Sequence, residues 1–265
     1  MSSDHLEIAR LAAREGGKVL RKRLGNIGKL EFKSKSDLVT DADRESEEAI
    51  LTVLSKHFPD IHITSEEIET SHGRRNERWI VDPLDGTTNF VHSLPGFSVS
   101  IAYEFDSEIT AGVVFDPYHN DEFSAAKGEG AYLNNEQIFV SKVGELSHAL
   151  VVTGFPYENE RILDLVLEGV REMLTNAQGL RRPGAAALDA CYTANGRFDI
   201  YYEFMLQPWD IAAGSIILQE AGGKISSPFG EPFDVETGNI LFTNGLIHEQ
   251  AVEALLRAKA RAEKL

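Results

Sequence analysis

Residues Trp79–His92 read WIVDPLDGTTNFVH. The apolar run Trp79-Ile80-Val81 has the composition of a buried strand, and it halts at Asp82. Pro83 and Leu84 follow, then Asp85-Gly86, then the hydroxyls of Thr87 and Thr88. A turn uses the proline and the glycine but has no need of two aspartates. A strand ending in Asp-Pro-Leu-Asp-Gly is expected to put both carboxylates beyond the sheet edge, where they can converge. Hard cations such as Mg²⁺ take oxygen ligands, usually carboxylates, waters and a substrate phosphate. After Gly86 the sequence reads as a helix start, whose free N–H groups and dipole favour an anion. Cation ligands beside an anion cradle suit phosphate chemistry; the bland alternative is a solvated acidic turn.

Outward from this stretch, Leu6, Ala9, Ala13, Gly17, Leu20 and Leu24 recur at helical spacing, with Asp4 and Glu7 as a capping box and Gly25 as a stop. A second helix is expected from about Asp43 to His57, capped by Thr40 and ended by Phe58-Pro59. From Ile61 to Val140 the runs IHIT, WIV, FSVSIAYEF, ITAGVVF, DEFSAA and AYLNNEQIFV predict a mostly antiparallel sheet. After Ser147 strand and helix alternate: ALVVTGF, a helix near Arg161 to Leu174, GLRR, a helix over Ala185 to Ala194, and FDIYYEF. A helix from Asp210 to Glu220, the strands KIS and ILFTN, and a helix from Glu249 complete the series. The pattern predicts an α/β (α+β) chain with an N-terminal lobe over residues 1–146 and an α/β lobe over residues 147–265.

Three further acidic positions stand at element ends. Ser65-Glu66-Glu67 follows the strand IHIT, so one glutamate can project from a strand end. Trp209-Asp210 opens an apolar helix, where an aspartate also serves as an ordinary cap. Asp43, in the run KSKSDLVTDAD (residues 33–43), falls in a first helical turn that favours an acid in any case. Phosphate-binding GxxxxGK[ST], the GxSxG nucleophile elbow and HExxH are absent, and Gly128-Glu129-Gly130 lacks the third glycine of a dinucleotide fingerprint.

Composition narrows the partners. Of 265 residues, 42% are hydrophobic, enough for a buried core. With 26 Lys+Arg against 42 Asp+Glu the net charge is −16, which disfavours bulk binding to nucleic acid or anionic membrane. An anionic small molecule is compatible, provided a cation lies between it and the protein. The N-terminal segment does not read as a signal peptide, and no apolar run approaches a membrane span. The one cysteine, Cys191, reads as a small core residue in a chain expected in the reducing cytoplasm.

Glu66, the run Asp82-Pro83-Leu84-Asp85-Gly86-Thr87 and Trp209-Asp210, taken in that order, resemble the inositol monophosphatase family of Mg²⁺-dependent, lithium-sensitive phosphatases. DLVTxxD, GAAALD (residues 184–189) and GRFDIYYE extend the likeness over roughly residues 5 to 250. The resemblance implies a layered αβαβα sandwich and two or three Mg²⁺ ions per site. Glu66, Asp82 and the Leu84 carbonyl would hold the first ion, and Asp82, Asp85 and Asp210 the second. Glu66 would help to hold a third. Gly86 and Thr87 would offer N–H groups to the phosphate, and Thr87, oriented by Asp43, would position water near Glu66. Lys33 or Lys35 is the matching lysine, and Asp37 matches a flanking position. Gly184, Ala185, Ala186 and Glu203 would line the substrate side, where a carboxylate suits a polyol hydroxyl. Homodimers are implied as well.

The residue types support this independently. Five convergent carboxylates would raise each other's pKa values unless cations compensate. No residue is placed as a covalent nucleophile, so in-line attack by a metal-activated water is expected. The substrate class is then inositol monophosphate or a similar small polyol phosphate. The alternatives are a fructose-1,6-bisphosphatase or histidinol-phosphatase of the same fold, and a regulatory or binding scaffold that keeps the fold. Arg181-Arg182 is the visible candidate for a second phosphate or a partner subunit; otherwise it is a solvated basic pair.

Overall fold

The computed structural model describes residues 2–26, 28–32, 38–66, 76–156 and 162–264. Lys33, Lys35, Asp37 and Glu67 lie outside the described residues, so the lysine assignment is not placed. The chain opens with α1 (Ser2–Arg23), a short hairpin of β1 (Leu30–Phe32) and β2 (Leu38–Thr40), and α2 (Asp41–His57). Next come β3 (His62–Ser65), β4 (Glu77–Asp85), α3 (Thr87–Val91), β5 (Ser98–Phe105), β6 (Glu108–Asp116), β7 (Asp121–Ala126), β8 (Gly130–Leu133) and β9 (Glu136–Gln137). The remainder is β10 (Leu150–Thr153), α4 (Leu163–Asn176), β11 (Gly179–Arg181), α5 (Ala186–Ala194), β12 (Ile200–Glu203), α6 (Pro208–Glu220), β13 (Lys224–Ser226), β14 (Ile240–Thr243) and α7 (His248–Ala262).

Among the described residues β3 to β9 form a seven-stranded sheet in sequence order, antiparallel except for the β3–β4 pair. A second sheet has the order β11-β10-β12-β14-β13. Helices α1 and α2 cover the outer face of the first sheet, α5 and α6 lie between the sheets, and α4 and α7 cover the second. This is the expected αβαβα layering.

The layering explains the near-continuous apolar runs. Side chains alternate across a strand, and here both faces are covered. Trp79 and Val81 pack outward with α1 and α2, whereas Ile80 joins the core around α5 and α6. Close layers need small residues at the crossings. A β-carbon on Gly17 of α1 would lie 2.5 Å from the Phe115 ring, and one on Gly214 of α6 would lie 2.5 Å from the β-carbon of Ala190. Every strand of the first sheet precedes residue 138 and every strand of the second follows Ala149. We propose the division at 146/147 on that ground, with α5 and α6 serving both lobes.

Local corrections concern element ends. Helix α1 begins at Ser2, so Asp4 lies within its first turn rather than capping it. Thr40 does cap α2, but the helix starts at Asp41. Asp210 is the third residue of α6, and Gln207 occupies its cap. The hairpin β1–β2 was not anticipated, because three-residue strands show too little alternation to read.

Candidate active site

Strand β4 does not stop at Asp82. It continues to Asp85, and Asp82 pairs with Ser100 while Asp85 pairs with Ser98, so three steps on β4 oppose two on β5. Pro83 has no N–H to give the ladder, and the extra residue forms a bulge that bends the strand. The aspartates therefore sit within the strand's last turn of pleat rather than beyond the sheet. The Asp82 carboxylate accepts from Leu84 N–H at 2.9 Å, which closes the bulge on itself.

The parallel β3–β4 register sets Ser65 against Val81, so the next residues, Glu66 and Asp82, come side by side. Helix α2 braces this edge: Ser65 Oγ donates to Glu47 at 2.5 Å and Ser46 Oγ donates to the Pro83 carbonyl at 2.8 Å. Gly86 ends β4 with φ 81°, a left-handed conformation that favours glycine. A β-carbon there would lie 2.6 Å from the Gly96 carbonyl oxygen. The chain thereby turns sharply into α3. Thr87 Oγ1 lies 3.0 Å from the Leu84 carbonyl and 3.4 Å from Asp43 Oδ1, two acceptors for one hydroxyl proton. Asp43 is buried, and its other oxygen accepts from Thr40 N–H and Thr40 Oγ1. Asp43 thus both caps α2 and reaches Thr87.

The second half of the chain closes the site. Ala186 and Ala187 N–H groups, at the start of α5, donate to the two Asp85 oxygens at 3.0 and 3.1 Å. Ser98 Oγ donates to Asp85 as well. Ala186 therefore commits its amide to Asp85 and offers the cavity only its methyl group. Ser100 Oγ donates to the Trp209 carbonyl at 3.1 Å, tying the first turn of α6 to β5. Asp210 accepts from Gln207 N–H at 2.7 Å. The serines of FSVSIAYEF, spaced by two inside a buried strand, were the readable sign of these contacts.

Together these elements line a cavity of about 480 Å³. Glu66, Asp82, Leu84, Asp85 and Asp210 line it, with Gly86 and Thr87. Gly184, Ala185, Ala186 and Glu203 also line it, as do Arg182, one of the basic pair offered for a second phosphate or a partner subunit, and Asp189, which sequence reasoning had not placed there. The basic pair divides. Arg182 lies on the cavity with its guanidinium 5.6 Å from the centre of the Phe155 ring, whereas exposed Arg181 donates to the Leu180 carbonyl. Cys191 is buried in the core and its thiol is pushed up by burial, as expected of a structural residue.

Burial, and then the charges of Glu66, Asp85 and Asp210, push Asp82 well above the ordinary carboxylate range. Burial pushes Asp85 up to about 6, against the N–H and hydroxyl donors that favour its charge. Asp210 is raised by burial and by Asp85, Glu66 and Glu203. Among the described lining residues Arg182 is the cation, and its charge acts on Glu203 and Asp189. Asp82 is acted on instead by the like charges of Glu66, Asp85 and Asp210. An all-oxygen donor set whose charges repel one another fits a hard divalent cation. Among the described residues no three acidic, imidazole or thiol groups are grouped as a metal site, and Asp82, Asp85 and Asp210 each accept a backbone N–H.

The sequence model of the inositol monophosphatase family matches residues 1–262. The chain belongs to this family. Its members are phosphatases, generally Mg²⁺-dependent, that act on small phosphate esters. The chain is 40% identical over 254 residues to a protein of Neisseria meningitidis serogroup B named putative Nus factor SuhB, covering 94% of this chain and 97% of that one. It is also 40% identical over 247 residues to the fructose-1,6-bisphosphatase/inositol-1-monophosphatase of Aquifex aeolicus, with 92% of each covered. The crystal structure of the extragenic suppressor protein suhB from Bartonella henselae superposes with a TM-score of 0.92 at 36% identity, covering 95% of this chain and 98% of that one. The family's fold is the layering described above.

Proposed function

We propose that this inositol monophosphatase family member is a Mg²⁺-dependent phosphomonoesterase that hydrolyses inositol monophosphate or a similar small polyol phosphate. The observation that carries the reading is one cavity lined by a carboxylate set whose charges raise one another, by Gly86-Thr87 and by Glu203. Glu66, Asp82 and the Leu84 carbonyl would hold one ion, and Asp82, Asp85 and Asp210 another. Bound Mg²⁺ neutralises the carboxylates, polarises phosphoryl oxygens and lowers the pKa of a coordinated water.

The chain's own groups do the rest. N–H groups at the start of α3 are left without intrahelical partners, so Gly86 and Thr87 offer them to a phosphate. The Thr87 hydroxyl, within reach of both the Leu84 carbonyl and Asp43, would donate its proton to Asp43 and keep its lone pairs for an attacking water. Glu203 receives a hydroxyl of the leaving alcohol. Lithium sensitivity, a homodimer and a cytoplasmic site of action are part of the same proposal.

A second reading, a sugar-bisphosphate phosphatase, is favoured by Arg182, a cation on the cavity able to meet a second phosphate. Phosphate release from myo-inositol 1-phosphate and fructose 1,6-bisphosphate, with and without Mg²⁺, separates the two. A higher kcat/KM on the inositol ester is expected, and activity lost with EDTA. Preference for the bisphosphate would assign the pocket to sugar metabolism. No release from either ester would overturn both readings.

A further inference from the structure

The cavity lining includes a group that neither packing nor the metal set explains. Asp189 of α5 is 1% exposed, and its Oδ1 is buried with no hydrogen-bond partner among the described residues. It lines the cavity together with Glu203, which ends β12 and is 7% exposed. Tyr201 hydroxyl donates to Glu203 Oε2 at 2.8 Å and fixes that carboxyl. The other oxygen, Oε1, lies over Gly154, where any β-carbon would overlap it, so Gly154 keeps the room this side chain occupies. An unpartnered buried carboxyl costs stability. On a helix face between Leu188 and Ala190, an apolar residue would serve packing better.

We propose that Asp189 is a specificity-determining residue, forming with Glu203 a paired-carboxyl floor that binds two neighbouring hydroxyls of a polyol leaving group. This rests on the phosphatase reading above. Two carboxyls in one buried site resist being charged together: the protonated one donates and the ionised one accepts. A vicinal diol, in which each hydroxyl both donates and accepts, completes that pair. An alcohol without a diol leaves it incomplete.

The test compares myo-inositol 1-phosphate with p-nitrophenyl phosphate, in Mg²⁺, for the wild type, Asp189→Ala and Asp189→Asn. The wild type is expected to favour the inositol ester. Asp189→Ala is expected to lower kcat/KM on that ester at least about tenfold, mainly through KM, the scale of a lost buried hydrogen bond. The aryl ester should change by no more than about twofold, and Tm should be unchanged or higher. Asp189→Asn supplies an N–H donor in place of the protonated carboxyl and is expected to restore most of the discrimination.

Equal losses on both esters with a lower Tm, or a failure of Asp189→Ala to fold, would assign Asp189 to structure and overturn the proposal. No loss in Asp189→Ala, or an equal loss in Asp189→Asn, overturns it too. A wild type active on the aryl ester without preferring the inositol ester sinks this subsite and leaves the phosphatase reading standing. Inactivity on both sinks the two together.

Discussion

Glu203 shows how one residue couples binding to stability. Burial pushes it up from 4.5 to about 7, against the Tyr201 hydroxyl and the Arg182 charge. A shift of that size corresponds to about 3 kcal/mol. The sign follows from proton counting. Between pH 4.5 and 7 the folded state keeps a proton that the unfolded chain has released, so stability falls as pH rises through that window. Glu203→Gln does not titrate there and still accepts from Tyr201. In EDTA, its Tm should match the wild type near pH 4 and exceed it by at least about 5 °C at pH 8. A gap that does not widen with pH would contradict the assignment. At this scale the sequence revealed charges that break a pattern: Asp82 and Asp85 interrupt an apolar run, and Thr40 with Asp43 forms a readable cap. It concealed Asp189, whose place inside the helical run GAAALDAC reads as an ordinary polar position. Its place on the cavity beside Glu203 depends on how α5 packs on β12, which the helical run does not show.

At the scale of elements, the site depends on α6 lying tightly on the first sheet. A β-carbon on Gly112 of β6 would fall 2.6 Å from Ile216 and 2.8 Å from the Ala213 carbonyl oxygen. The same helix carries Asp210 in its first turn, held to β5 through Ser100. Gly112→Val must push α6 outward, and overpacking of this kind costs about 1–3 kcal/mol. The urea midpoint should drop, and kcat should fall at least about tenfold, because small misplacements of catalytic groups are costly. Gly144→Ala, where nothing lies within 4 Å, should change neither. If Gly112→Val lost stability but kept full kcat, Asp210 would not need this anchoring. The succession of most strands and helices along the chain was legible from periodicity. The bulge at Pro83 was not, since a register shift is a property of two paired strands and leaves only a proline as its local sign.

For the whole molecule, what matters is where the negative charge is concentrated. A net charge of −16 spread over a surface is tolerable, but buried carboxylates from both halves of the chain meeting in one cavity are not. Part of the metal-free protein's stability is therefore spent against its own site, and a cation should return it. Ligand linkage gives about 2.7 kcal/mol at one hundred times Kd, so Mg²⁺ should raise Tm by about 5 °C or more at pH 7.5. Potassium chloride at equal ionic strength should do much less, because screening acts weakly on buried charges. Asp82→Asn supplies the decisive contrast. It removes the carboxylate on which Glu66, Asp85 and Asp210 all act. The variant should be at least as stable as the wild type in EDTA, gain little from Mg²⁺, and lose at least about 10³ in kcat. A structural role would predict the reverse, with lower stability in EDTA and an unchanged response to Mg²⁺. An equal Mg²⁺ response in the two proteins would place the cation elsewhere, and full turnover by folded Asp82→Asn would remove the carboxylate cluster from the mechanism.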